Sequence, residues 1–142
     1  MSKKIEVDKE LLMLSKSKRP KIVQSSTESA LTGCGKAYII IGTVNNKPYE
    51  VFSILGKCGG CAAALNEALT RSISQGLRYG VPVEEYTKLL IGIRCPSPGF
   101  DEGLPILSCP DAIGQLLQKA KKDGGNNEPK KSNNNDTSST QD

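Results

Sequence analysis

Histidine is missing from all 142 residues, and so is tryptophan. The first absence removes Ser-His-Asp and Cys-His nucleophilic designs and every mixed Cys/His metal site, so any base here is a carboxylate, a lysine or a thiolate. Aromatics are scarce, with two Phe and four Tyr. A single-strand nucleic-acid surface needs stacking rings beside clustered cations, which argues against nucleic acid as a partner. No apolar run approaches the ~20 residues that span a bilayer. The start, Met1-Ser2-Lys3-Lys4-Ile5-Glu6, lacks the apolar stretch of a secretory signal. These absences together predict a soluble, cytoplasmic chain with no membrane partner. A hydrophobic content of 37% supports one small core.

Charge is unevenly placed. Residues 1–21 carry a net +4, residues 22–117 a net −1 and residues 118–142 a net +1. The basic character therefore belongs to the two ends and not to a folded surface. Residues 1–18 read as a basic flexible arm, with one amphipathic fragment (Ile5, Val7, Leu11, Leu12, Leu14) that suits a short, weakly docked helix before Pro20. Residues 121–142 contain no aliphatic side chain and are expected to be a disordered polar tail.

Residues 19–120 are the expected domain, strands first and helices after. Ile22-Val23 and Ser29 to Thr32 suit short strands. Ala37 to Val44 is the strongest β signal, and Asn45-Asn46-Lys47 turns it into a second strand over Pro48 to Ile54. The continuous apolarity of Ala37 to Val44 predicts that both faces of that strand are covered. A helix is expected over about 61–79, burying Leu65, Leu69, Ile73, Gly76 and Leu77 and turning Asn66, Thr70 and Ser74 to solvent, with Glu67 and Arg71 paired one turn apart. Gly80 should stop it. Pro82 opens a second helix whose apolar face is Tyr86, Leu89, Leu90 and Ile93. A loop follows through Gly103, and Ser108-Cys109-Pro110-Asp111 caps a third helix with Ile113, Leu116, Leu117 and Ala120 inward. The fold class is α+β: a small antiparallel sheet around a β-hairpin, packed by about three helices.

The five cysteines all fall at element boundaries: Cys34, Cys58, Cys61, Cys95 and Cys109. An odd count in a reducing compartment points to metal or redox chemistry before a disulfide framework. Four thiolates from separate segments can hold a structural zinc ion tetrahedrally and staple a small core. Spacing alone does not say which four, since Cys58-Gly59-Gly60-Cys61 is the one CxxC and Cys95 and Cys109 are far apart. A redox alternative uses Cys58 and Cys61 as a dithiol at a helix N-terminus, where the dipole favours a thiolate. A third reading gives the loop Gly56, Lys57, Gly59 and Gly60 to a nucleotide-like anion, through close backbone approach, positive charge and free N–H donors. Its plain counterpart is a glycine turn that lets helix and hairpin pack closely.

Five ordered blocks, Cys34-Gly35-Lys36-Ala37-Tyr38, Pro48-Tyr49-Glu50-Val51-Phe52, Gly59-Gly60-Cys61-Ala62-Ala63, Gly92-Ile93-Arg94-Cys95-Pro96 and Ser108-Cys109-Pro110-Asp111-Ala112-Ile113, resemble the TSCPD domain. That domain resembles the C-terminal portion of adenosylcobalamin-dependent (class II) ribonucleoside-diphosphate reductases. Leu107 stands where the naming motif has Thr. The resemblance matches the recurring cysteines to Cys34, Cys61, Cys95 and Cys109, making these the implied metal set and Cys58 the spare thiol.

The same resemblance implies a link to deoxyribonucleotide synthesis without catalysis by this chain alone, because 142 residues cannot contain the reductase barrel. Adenosylcobalamin enters only through that association. The expected role is an accessory binding module, with a reductase catalytic subunit or a nucleotide-like small molecule as its partner.

Overall fold

A computed structural model describes residues 15–57 and 59–124. Three strands, β1 (Gln24–Thr32), β2 (Gly35–Val44) and β3 (Lys47–Leu55), form an antiparallel meander in the order β1-β2-β3. Of the two short strands expected early, Ile22-Val23 lies outside the sheet, and Ser29 to Thr32 is the end of one nine-residue strand, because β2 supplies a continuous ladder from Gln24↔Thr43 to Thr32↔Gly35 that local propensity does not announce. Asn45 and Asn46 both adopt positive φ, 51° and 60°, the conformation a two-residue hairpin turn demands and asparagine tolerates.

Helix α1 (Gly60–Arg78) lies along β3 and covers its free edge. The expected inward face holds at Ile73, Leu77 and the partly buried Leu69, and fails at Leu65 and at the polar positions expected outside. Asn66, Thr70, Ile73, Ser74 and Leu77 are buried while Leu65 is exposed. A helix on a sheet edge faces unpaired backbone groups. The Ser74 hydroxyl accepts from Val51 N–H and donates to Val51 C=O, both at 2.9 Å, satisfying the outward pair of the edge strand. Asn66 donates to the Ser53 hydroxyl at 2.7 Å. The Glu67–Arg71 pair forms as expected on the exposed side. Gly80, at φ 89°, ends the helix: its own N–H bonds Leu77 C=O and that of Val81 bonds Gly76 C=O.

Helix α2 (Val83–Leu90) turns Val83, Thr87 and Leu90 inward. It stops at Leu90, and Leu89 and Ile93 are exposed, contrary to expectation. The stretch read as a loop contains a small hairpin, β4 (Gly99–Asp101) and β5 (Leu104–Ile106), turned by Glu102 and Gly103 at positive φ and seated beside β1. Helix α3 (Cys109–Gly124) touches all three strands of the meander and packs on α2. It runs four residues beyond the expected boundary at 120.

The core gathers Ile39, Ile41 and Val51 from the sheet with Ile73, Leu77, Leu90, Ile113 and Leu117 from the helices. All of this lies on the inner face. On the outer face Glu50 is 3% exposed, clasped by Arg19 (Nε to Oε2 2.7 Å, Nη2 to Oε1 2.8 Å) and by Arg78 (Nη2 to Oε2 2.8 Å). Gly42, opposite Glu50 in the ladder, leaves the space that the Glu50 and Val23 side chains fill. The Arg19 guanidinium, reinforced by that of Arg78, holds the Glu50 carboxyl below the usual carboxylate range against the opposing effect of burial. The clasp ties residues 15–23 across the sheet. The remainder of that face, including Tyr38 and Phe52, is exposed, so among the described residues only one face of β2 is fully covered.

Candidate functional site

The motif Ser108-Cys109-Pro110-Asp111 closes the domain where α3 begins. Ser108 caps the helix: its hydroxyl accepts the Asp111 N–H at 3.1 Å and donates to Ile93 C=O at 2.7 Å. The fully buried Asp111 carboxylate accepts from Gly92 N–H at 2.8 Å, Leu107 N–H at 3.0 Å and the Gln115 amide at 2.8 Å. One carboxylate thus joins the end of α2, the strand β5 exit and the first turns of α3. Cys95 N–H bonds Leu107 C=O at 3.1 Å, which aligns the Cys95 segment with the same junction.

Against this junction sits the β1–β2 turn. A side chain on Gly33 would overlap the Ser97 carbonyl oxygen, and one on Gly99 would press Leu31 C=O at 2.8 Å, so two glycines let the turn and the 95–99 loop touch backbone to backbone. Buried Thr32 is the polar centre. Its hydroxyl donates to Gly35 C=O at 2.8 Å, accepts Cys34 N–H at 3.2 Å and lies 3.9 Å from the Cys109 sulfur. Cys95 Sγ meets Ser97 C=O at 3.3 Å.

Three of the four implied ligand-bearing segments, those of Cys34, Cys95 and Cys109, therefore converge on Thr32, Gly33 and Ser97. Cys61, second residue of α1, is exposed and follows the β3 end that Gly56 anchors through its N–H to Lys36 C=O at 2.9 Å. Cys34 is exposed, and Cys95 and Cys109 are half-buried. Among the described residues no group of three or more Cys, Asp or Glu side chains is gathered closely enough to hold a metal ion. The donors are soft thiols of the right number for zinc, and they share one end of the fold without being closed on a point.

Cys58 lies outside the described residues. Of the Gly56–Cys61 loop, Gly56 approaches the Lys36 carbonyl oxygen closely, whereas positions 59 and 60 face open space and Gly60 needs its positive φ of 70°. The close-packing reading thus holds for Gly56 alone. The N-terminus of α1 has no side-chain cap and no acidic residue in its first turn, and Lys57 beside it is exposed.

Sequence reasoning missed Thr32 and Asp111 as organising residues. The capping motif was visible, but the reach of Asp111 to Gly92, 19 positions away, has no local signature. Thr32-Gly33-Cys34-Gly35 did carry a signal, two glycines flanking a cysteine, though nothing in it names Ser97 as its contact.

No curated protein matches the chain, and no solved structure matches it. A family model for the TSCPD domain, known from the C-terminal regions of class II ribonucleotide reductases, matches residues 11–121. That span holds the whole sheet, the Arg19–Glu50 clasp and the Ser108–Asp111 junction, and on it the chain belongs to the TSCPD domain family.

Proposed function

We propose that this chain is an accessory binding module that serves deoxyribonucleotide synthesis by docking on a cobalamin-dependent reductase, with Cys34, Cys61, Cys95 and Cys109 as a structural zinc clasp. The observation that carries the reading is the meeting of three thiol-bearing segments at Thr32, inside a domain of the family known from those reductases. Zinc binding would supply cross-linking of the turn, the helix starts and the 95–99 loop, where the domain has little core of its own. The four thiols are not gathered on one point among the described residues, so loading requires them to draw together. The protein's own part is to hold the segments: Thr32 fixes the turn, the Gly33 contact seats the loop, and Ser108 with Asp111 fixes the start of α3.

Elemental analysis with thiol counting tests the clasp. About one zinc per chain, with four thiols protected until a chelator is added, is the expected result. Five reactive thiols and no metal would remove it. Cys95→Ser and Cys109→Ser should destabilise the loaded domain while Cys58→Ser is silent; the reverse, with Cys58→Ser abolishing electron transfer to a reductase in an intact fold, would favour the dithiol reading. Co-sedimentation with the catalytic subunit of a class II reductase tests the docking separately.

A second reading rests on the uncapped start of α1 beside exposed Lys57, which suits a nucleotide-like anion. A concentration-dependent rise in melting temperature with nucleotides, lost in Lys57→Ala, is the outcome it requires.

A further inference from the structure

The meander has two edges, and helix α1 covers the one at β3, where Ser74 satisfies Val51 N–H and C=O. Those two bonds also fix the parity of the sheet. Val51 points its backbone groups away from β2, so its ladder partner Ile41 turns its own toward β1, onto Ser26. Even-numbered residues of β1 therefore bond β2, and Ser25, Thr27, Ser29 and Leu31 turn N–H and C=O outward. The bond from Gly56 N–H to Lys36 C=O requires the same alternation, because Lys36 then serves β3 and leaves its β1 partner Leu31 facing out.

Gly99 stands against Leu31 C=O. Among the described residues no backbone hydrogen bond reaches the outward side of Ser25, Thr27 or Ser29, and all three are exposed. Edge strands are commonly protected from pairing by a lysine, a proline or a bulge, and residues 24–30 have none of these in their ladder with β2. Their one charge, Glu28, is engaged by Lys119, Nζ to Oε2 at 2.6 Å.

This edge is complementary to itself. A two-fold axis at Ser26 places Ser25 opposite Thr27 of a second copy, both with outward backbone groups, as an antiparallel ladder requires. Gln24 and Glu28, two residues to either side of Ser26, then face each other, amide to carboxylate. Ile22 and Ala30, four residues to either side, meet next. Ile22 is 83% exposed, and Ala30 borders a recess lined by Ile91, Leu104, Ile106, Ala112 and Leu116 between β1, the β4–β5 hairpin and α3. An unpartnered isoleucine and an apolar recess thus stand at equal spacing, about 13 Å of extended chain, from one residue. A strand of unrelated sequence would gain the same backbone bonds but neither side-chain match, so the occupant that fits is another copy of this chain.

We propose that β1 is a dimerisation edge: two copies of this chain pair antiparallel over residues 23–29 about an axis at Ser26, joining two three-stranded sheets into one. The pairing is independent of the zinc and reductase readings. Sedimentation equilibrium of the full chain in a reducing buffer tests it, over roughly a hundredfold range of concentration. The apparent mass should rise from one chain to two and no further. In Thr27→Pro it should stay at one chain throughout, in a protein that still melts cooperatively, because the lost N–H serves no bond to β2. A single-chain mass for the natural protein at every concentration overturns the proposal. So does a mass above two chains, or a dimer that persists in a folded Thr27→Pro. If Thr27→Pro does not fold, amide exchange of the natural chain decides. Ser25 and Thr27 N–H should exchange about tenfold more slowly at the high end of concentration than at the low end, and equal rates refute the pairing.

Discussion

Asp111 accepts a hydrogen bond from the backbone N–H of Gly92 at 2.8 Å, from the first turn of α3 to the segment leaving α2. The residue is 1% exposed and has two further donors in Leu107 N–H and the Gln115 amide. The Ser108-Cys109-Pro110-Asp111 stretch is thus architectural at both ends, with the half-buried thiol of Cys109 between them.

Asp111→Asn keeps the volume but replaces a charged acceptor of three bonds by an amide that accepts on one oxygen only. A loss of about 2–3 kcal/mol is expected, read as a lower urea midpoint with unchanged slope. Ser108→Ala should cost about 1 kcal/mol through loss of the cap.

Acid should unfold the domain partly through Glu50. Its folded pKa lies below the ordinary 4.5, so its contribution is complete above that value and is lost as pH falls through the lowered one. Glu50→Gln should cost about 3 kcal/mol near neutrality, because two guanidinium groups lose their counter-charge. Its stability should also change less between pH 5 and pH 3 than that of the natural chain, as followed by circular dichroism at stepped pH.

Ser74→Ala strips Val51 of both partners at the edge of β3 in a buried position. The expected cost is about 2 kcal/mol, with faster amide exchange confined to Val51 and its neighbours on the α1 side.

Gly33→Ala places a methyl group on the Ser97 carbonyl, which is backbone and cannot step aside alone. The 95–99 loop should lift from the β1–β2 turn, lowering the melting temperature by several degrees for a loss of about 1–3 kcal/mol. The readout that distinguishes this from general weakening is a rise in alkylation of Cys95 and Cys109 under native conditions.

The hairpin of β2 and β3, the helix starting near 60, the stop at Gly80 and the cap at Ser108 were legible because each depends on neighbours in sequence: two asparagines at positive φ, a glycine at a helix end, a serine three before an acid. The buried face of α1 was not. Periodicity ranks Leu65 above Asn66 and Ser74, but the helix lies against a strand edge whose bare N–H and C=O groups reward polar side chains. The β4–β5 hairpin escaped for the opposite reason, since three-residue strands carry too little pattern to be seen.

The sequence by itself determined the local turns and caps, the α+β order and the family, since these follow from residue types a few positions apart. The tertiary structure alone decided which cysteine segments meet at Thr32, that Asp111 reaches Gly92, and that Arg19 and Arg78 close on Glu50. Each of these contacts joins positions far apart in the chain. Such a contact exists only after strand register and helix packing have set the two backbones at a fixed distance, and no short window of residues encodes that distance.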